Sequence, residues 1–152
     1  MFRGINGVNM DIKGRLMMPV RYREELTQEA RGTIVLTIDT EEKCLLLYPL
    51  PAWEEIESKL AILPSFNPAA RRIQRLLIGH ATDVELDGQG RVLVPPMLRD
   101  YAGLSRQAVL VGQGNKFELW DEKHWSARRN QWIDEDDSDL EKLPEELKQI
   151  SL

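Results

Sequence analysis

Two short stretches of the sequence set an aspartate four residues ahead of an arginine with a glycine just before it: Asp11-Ile12-Lys13-Gly14-Arg15 and Asp87-Gly88-Gln89-Gly90-Arg91. In each, glycine permits a positive φ, and the aspartate can accept backbone N–H groups across a turn or brace the arginine. Either use gives a rigid loop with a presented guanidinium. An arginine held in this way loses little side-chain entropy on binding and can fork onto a guanine O6/N7 edge or a phosphate. Taken once, the pattern is an ordinary structural turn. Its recurrence gives it weight.

The recurrence belongs to a longer duplication. An offset of 76 aligns Asp11–Arg23 with Asp87–Arg99, with Asp, Gly, Arg, Pro and Arg identical at five positions. The match continues with Ile34–Thr37 against Ala108–Val111, and with Tyr48 and Trp53 against Trp120 and Trp125. A unit of about 45 residues is therefore repeated. One unit is too small to bury its own apolar face, so the two copies are expected to pack against each other.

Each unit reads as a turn, an apolar stretch (Leu16-Met17-Met18; Val92-Leu93-Val94), a proline, a short helix ending near Leu26 or Leu104, and two strands. The first strand pair is expected to turn at Asp39–Glu42, the second at Gly112-Gln113-Gly114-Asn115. A helix follows each pair, the first carrying Pro51, Trp53, Ile56, Leu60 and Leu63 at helical spacing. Asn67-Pro68 predicts the start of a connecting helix through Ile78, with Ala69, Ile73, Leu76 and Leu77 on one face and Arg71, Arg72 and Arg75 on another. The three arginines read as a solvated face, with subunit contacts or phosphate contacts as the alternatives. The chain thus divides into a first copy with its helix (1–60), a connecting helix (61–81), a second copy (82–128) and a C-terminal tail (129–152), of α+β, β-rich class.

Hydrophobic residues at 42%, charged residues at 30% and a mean hydropathy of −0.39 exclude a membrane protein and a fully disordered chain. The start of the chain lacks the apolar stretch of a signal peptide, so a cytoplasmic location is expected. Cys44, the single cysteine, sits in an apolar run and reads as a small buried hydrophobe. The net charge of −5 is confined to the tail: residues 1–120 hold 15 basic and 15 acidic groups, residues 121–152 hold 5 and 10. The run Asp134–Asp139 and the segment beyond it read as a mobile acidic tail with one short helix. A neutral body binds nucleic acid only through clustered arginines, multiplied by oligomerisation.

Across nearly its whole length the sequence resembles the MraZ family, a branch of the AbrB-like, swapped-hairpin DNA-binding proteins. The features that carry the resemblance are Met1-Phe2-Arg3-Gly4, the first turn with Pro19, the linker Gly79-His80-Ala81, and the second turn with Pro95-Pro96 and Leu98-Arg99. The resemblance implies a tandem duplicated swapped-hairpin (double-split) β-barrel with short flanking helices. It implies a homo-oligomeric ring that binds repeated promoter boxes in double-stranded DNA, is nucleoid-associated, and controls the division and cell-wall gene cluster. Carried over residue by residue, it nominates Lys13, Arg15, Arg91 and Arg3 for DNA binding, with Asp11, Gly14, Asp87 and Gly90 bracing the loops. Gln89 stands where the first copy has Lys13, which favours the first loop.

Two rival readings are weaker. Asp83, Glu85 and Asp87 alternate along a strand and could in principle hold a hard cation beside His80, but no phosphate loop, nucleophile motif or paired histidines accompany them. No catalysis, cofactor, metal or small-molecule substrate is expected, and His124 reads as a packed or surface side chain. A protein-interaction module like the AbrB-like antitoxins is the alternative, with the acidic tail gripping a basic partner.

Overall fold

The computed structural model describes residues 1–135 and 144–151. Residues 1–122 form one compact unit and residues 123–152 a second. The first unit opens with β1 (Phe2–Asn9), passes through the first turn into β2 (Arg15–Met17), and continues through α1 (Val20–Ala30), β3 (Thr33–Ile38) and β4 (Leu45–Pro49). After α2 (Leu50–Ala61) and α3 (Pro68–His80) the pattern repeats as β5 (Thr82–Glu85), β6 (Arg91–Leu93), α4 (Pro96–Ala102), β7 (Gln107–Gly114) and β8 (Phe117–Asp121). The second unit carries most of α5 (Glu122–Asp134), where the Trp125 and Trp132 rings lie 6.2 Å apart, and α6 (Glu145–Lys148). Most of the acidic run expected at Asp134–Asp139 lies outside the described residues.

The two halves are interleaved. Six strands pair in the order β1-β7-β8-β4-β3-β5, so the first strand of each half pairs antiparallel with the third strand of the other. The short strands β2 and β6 leave this sheet and pair only with each other, Leu16 facing Val92 at the centre of the ribbon. Among the described residues the order of the larger sheet has β1 and β5 at its ends, and an isolated bridge from Met10, just after β1, to Leu16 links the ribbon to the first strand.

One core serves both halves. Leu16, Met18, Val92, Val94, Leu110, Phe117 and Leu119 have no exposed surface, and Phe2, Tyr22 and Phe117 stack at centroid distances of 4.2 to 5.8 Å. Burying the apolar stretches after both turns against each other is what a unit too small to stand alone requires. A second cluster, Val35, Leu46, Tyr48 and Trp53, packs under α2 and α3. Cys44 is wholly buried, and burial, with the nearby carboxylates of Glu118, Asp39 and Glu42, pushes its thiol well above the usual range.

The connecting helix starts where its sequence says it should. Asn67 Oδ1 accepts from the Ala70 N–H at 3.1 Å, Pro68 takes the first turn, and the helix runs two residues past Ile78. Leu63 falls outside α2, and α1 continues to Ala30 rather than ending near Leu26. The second hairpin turns later than Gly112–Asn115. Gly112 and Gln113 stay in β7 because they pair with Gly4 and Arg3 of β1, leaving the turn to Asn115 and Lys116.

Candidate nucleic-acid interface

The two Asp-x-x-Gly-Arg segments fold into the same hydrogen-bonded turn. Asp11 Oδ1 accepts from the N–H groups of Lys13 and Arg15, both at 2.9 Å, and its Oδ2 accepts from Arg15 Nε at 2.7 Å. Asp87 does the same with Gln89 (2.9 Å), Arg91 N–H (2.8 Å) and Arg91 Nε (2.8 Å). Backbone bonds close each loop, from Gly14 N–H to the Asp11 carbonyl and from Gly90 N–H to the Asp87 carbonyl, both 3.0 Å. Gly14 and Gly90 adopt φ of 84° and 79°, the left-handed conformation that needs glycine. The Arg15 backbone N–H, then its side chain, hold the Asp11 carboxyl below its ordinary value, and the Arg91 backbone N–H and side chain hold Asp87 down to about 2.

Each arginine is clamped through Nε, its terminal nitrogens make no hydrogen bond among the described residues, and its side chain stays half-buried. Strand alternation places the two arginines on a common face. Leu16 and Val92 point into the core, so Arg15, Met17, Arg91 and Leu93 share the opposite, outward face, Arg15 across from Leu93 and Met17 across from Arg91. Arg15 and Arg91 are thus diagonal neighbours on an antiparallel ribbon, with Cα atoms roughly 7–8 Å apart. Lys13 and the wholly exposed Ile12 form the tip of the first turn, and Gln89 and Gly88 the tip of the second.

Two further arginines brace the turns from the opposite half. Arg99 Nε donates to the Val94 carbonyl at 3.0 Å, and its guanidinium lies over Gly14 so closely that a Cβ there would meet Arg99 Cζ at 2.5 Å. Arg23 repeats this across the ribbon, donating to the Met18 carbonyl at 2.6 Å and lying over Gly90. Each turn therefore sits on an arginine contributed by the other copy. A cleft of about 660 Å³ beside the first turn adds Arg106, and one of about 540 Å³ beside the second adds Arg31.

Lys13, Arg15 and Arg91 are gathered on or beside the ribbon, with Asp11, Gly14, Asp87 and Gly90 beneath them. Arg3 is not. It lies near the start of β1, paired with Gln113, and eight residue steps of mostly extended chain, at most roughly 26 Å, separate it from Asp11. The cross-bracing role of Arg23 and Arg99 was missed in the sequence, although the recurrence of an arginine four residues after each proline was its signal.

The sequence matches the family model described as "MraZ protein, putative antitoxin-like" twice, over residues 1–76 and 77–146. It is also 57% identical to a "Transcriptional regulator MraZ" of Coxiella burnetii (strain Dugway 5J108-111), with all of both chains covered. Proteins of the same name from Legionella pneumophila (strain Corby) and Halorhodospira halophila (strain DSM 244 / SL1) are 58% and 54% identical over the same full lengths. The chain belongs to the MraZ family. The boundary between the two matched MraZ repeats falls inside α3, so each repeat contributes one turn and one side of the ribbon.

The carboxylate alternation that suggested a cation site in this MraZ chain is broken by the fold. β5 ends at Glu85, and Asp87 turns away to clamp Arg91; among the described residues no three His, Cys, Asp or Glu side chains gather as a metal cluster. His80 Nδ1 lies 2.7 Å from the Leu76 carbonyl at the end of α3, a local helix-end contact.

Proposed function

We propose that this chain is a sequence-specific DNA-binding transcriptional regulator that reads double-stranded DNA with the outward face of the β2–β6 ribbon. The supporting observation is the pair of Nε-clamped arginines, Arg15 and Arg91, which share the face of the ribbon opposite the core, with exposed Lys13 beside them. Their terminal nitrogens form a ready fork for guanine O6/N7 or a phosphate, and the clamp removes the entropy cost of aiming them. Lys13 supplies a point charge for the phosphate backbone, and Arg3, remote from the ribbon, reaches only a neighbouring stretch of DNA. The strand exchange between the halves fits the AbrB-like swapped-hairpin architecture, to which we assign the fold.

A body with 15 basic and 15 acidic groups in residues 1–120 binds DNA weakly as a single copy. A homo-oligomeric ring repeats the ribbon at fixed spacing and turns single contacts into avidity along repeated promoter boxes. The name shared by the full-length relatives supports transcriptional control, which we place at the division and cell-wall gene cluster, in the cytoplasm and on the nucleoid.

The experiment is a gel-shift titration on the DNA upstream of the protein's own gene, at two salt concentrations. Arg15→Ala is expected to lose about 1–3 kcal/mol of discrimination, roughly 5- to 150-fold in affinity for the cognate box. Lys13→Ala is expected to weaken all sequences alike and flatten the salt dependence by about one phosphate contact. An Arg15→Ala protein that stays folded and assembled yet binds the box with unchanged affinity refutes the reading. The antitoxin-like wording of the family description supports the alternative, a protein-interaction module. A pull-down recovering one stoichiometric protein partner, with no promoter DNA enriched, would favour it.

A further inference from the structure

Two arginines near the ribbon have no task inside the protein. Arg31 follows α1 and Arg106 stands between α4 and β7; both are exposed, and neither side chain makes a hydrogen bond or an ion pair among the described residues. Arg31 is also held at a cost. With φ at 52° it is the one residue other than glycine in the left-handed region among the described residues, at a helix end where the second half places Gly103. An L side chain is strained there, and strain that no internal contact of that side chain offsets points to a use outside the fold.

Each of the two lines the cleft beside one turn. Arg106 shares the 660 Å³ cleft with Arg99 and Ile12, and Arg31 shares the 540 Å³ cleft with Arg23 and Gly88. Each cleft therefore has two guanidiniums, while the one carboxylate lining it, Asp11 or Asp87, is already paired with Arg15 or Arg91. Arg99 and Arg23 use only Nε on the Val94 and Met18 carbonyls, and their terminal nitrogens make no hydrogen bond among the described residues. The backbone N–H groups of Ile12 and Gly88 likewise meet no acceptor among them, because the turns are closed by the N–H groups that follow. Two uncompensated guanidiniums with a free backbone donor are chemistry for a phosphate.

The clefts lie at opposite ends of the ribbon. The first turn enters β2 where Arg15 faces Leu93, the second enters β6 where Arg91 faces Met17, and the pseudo-twofold about Leu16 and Val92 exchanges them. Duplex DNA has a dyad of its own that exchanges its two strands, and a ribbon seated in the major groove has a row of phosphates on either side. We infer that each cleft seats one DNA backbone phosphate, one from each strand, held by Arg99 and Arg106 at the first turn and by Arg23 and Arg31 at the second. Such contacts are blind to base sequence. They fix the register and tilt of the ribbon in the groove and leave base reading to Arg15 and Arg91. The inference rests on the DNA-binding reading above, and its test lets either fail alone.

The test is fluorescence anisotropy on the full chain with two labelled duplexes, one carrying a single box from the DNA upstream of the protein's own gene and one of unrelated sequence, between about 50 and 200 mM salt. Arg31→Gly and Arg106→Gln are each expected to weaken binding to both duplexes alike and to leave the preference for the box intact. Loss of one phosphate contact lowers the salt slope by about 0.9, so the fall in affinity across that range becomes about 3.5-fold smaller than for wild type. Arg31→Lys and Arg106→Lys keep the charge and are expected to keep the wild-type slope. Arg31→Gly relieves the left-handed backbone and is expected to hold or raise the urea midpoint, so its weaker binding is not a loss of folding. A salt slope unchanged in either variant, or a loss confined to the box duplex, would overturn that cleft's role, and a urea midpoint lowered by Arg31→Gly would assign Arg31 to the fold. Arg15→Ala run alongside separates the two readings. If it loses the preference for the box while the cleft variants keep the wild-type slope, the clefts fail and the ribbon stands; flattened slopes in the cleft variants with Arg15→Ala unchanged give the reverse. A wild type that binds neither duplex overturns both.

Discussion

Gly14→Ala is the sharpest perturbation of the interface, because two separate costs fall on one methyl group. The first is backbone strain: φ at Gly14 is 84°, and holding an L residue in the left-handed region costs about 1–2 kcal/mol. The second is steric, since the new Cβ would lie 2.5 Å from Arg99 Cζ and 2.6 Å from its Nε. Arg99 must move, which breaks its 3.0 Å bond to the Val94 carbonyl. A hydrogen bond to a charged group is worth about 1.5–3 kcal/mol, and partial exposure of Arg99 takes the lower end. Together they come to about 2.5–3.5 kcal/mol, which for a chain of this length lowers Tm by roughly 5–14 °C. Urea denaturation followed by circular dichroism measures the loss, and a double-mutant cycle separates its parts. In the Arg99→Ala background the steric share vanishes and Gly14→Ala should cost only about 1–2 kcal/mol. Gly88→Ala, with no atom within 4 Å of its Cβ and no positive φ, is the control and should be silent. A Gly14→Ala protein within about 0.5 kcal/mol of wild type, or a cost unchanged by removing Arg99, would refute the cross-bracing argument.

The aspartate clamps make stability depend on pH in one direction. Asp87 titrates at about 2 when folded, below its ordinary carboxylate value near 3.8, so its ionised form stabilises the turn above pH ~4 and that contribution disappears as pH falls toward 2. The denaturation midpoint of Asp87→Asn should therefore lie below that of wild type at pH 6 and converge on it between pH ~4 and 2; a difference that stays constant over this window would contradict the clamp. Cys44 is wholly buried and its thiol is pushed far from ionisation, so iodoacetamide should leave it unmodified in native buffer and alkylate it in urea, read by mass spectrometry. Rapid native alkylation would show that the β3–β4 hairpin end opens.

The turns were legible because everything that shapes them is local. Asp11, Gly14 and Arg15 lie within five residues, and the aspartate's bonds to Lys13 and Arg15 follow from chain geometry alone. The start of α3 was legible for the same reason, with Asn67 and Pro68 adjacent to the N–H groups they serve. What escaped is long-range. The segment Phe2–Asn9 contains two glycines and no clean alternation, and it becomes a strand only because β7, about a hundred residues later, offers it a partner. That same pairing draws Gly112 and Gln113 out of the hairpin turn their composition suggested. Arg23 and Arg99 recur visibly, but their target is the glycine of the other copy, and no spacing within a repeat encodes a contact across a pseudo-twofold.

Fusing two copies into one chain frees them to diverge at the tips while the backbone stays paired. The bonds of the two turns agree to about 0.1 Å, and the ribbon is symmetric about Leu16 and Val92. The side chains are not: Ile12 and Lys13 stand opposite Gly88 and Gln89, and Arg31 holds a left-handed helix end at φ 52° where the second half uses Gly103. A symmetric reader would favour palindromic sites and could not distinguish the two directions along a duplex. On the reading proposed above, the Lys13 loop gives the ribbon a direction, and direct repeats are the DNA arrangement that would engage every Lys13 loop alike. Inverting alternate boxes in an otherwise intact promoter fragment should reduce affinity toward that of half as many sites, and an equal affinity for direct and inverted arrays would mean that the two turns read DNA interchangeably.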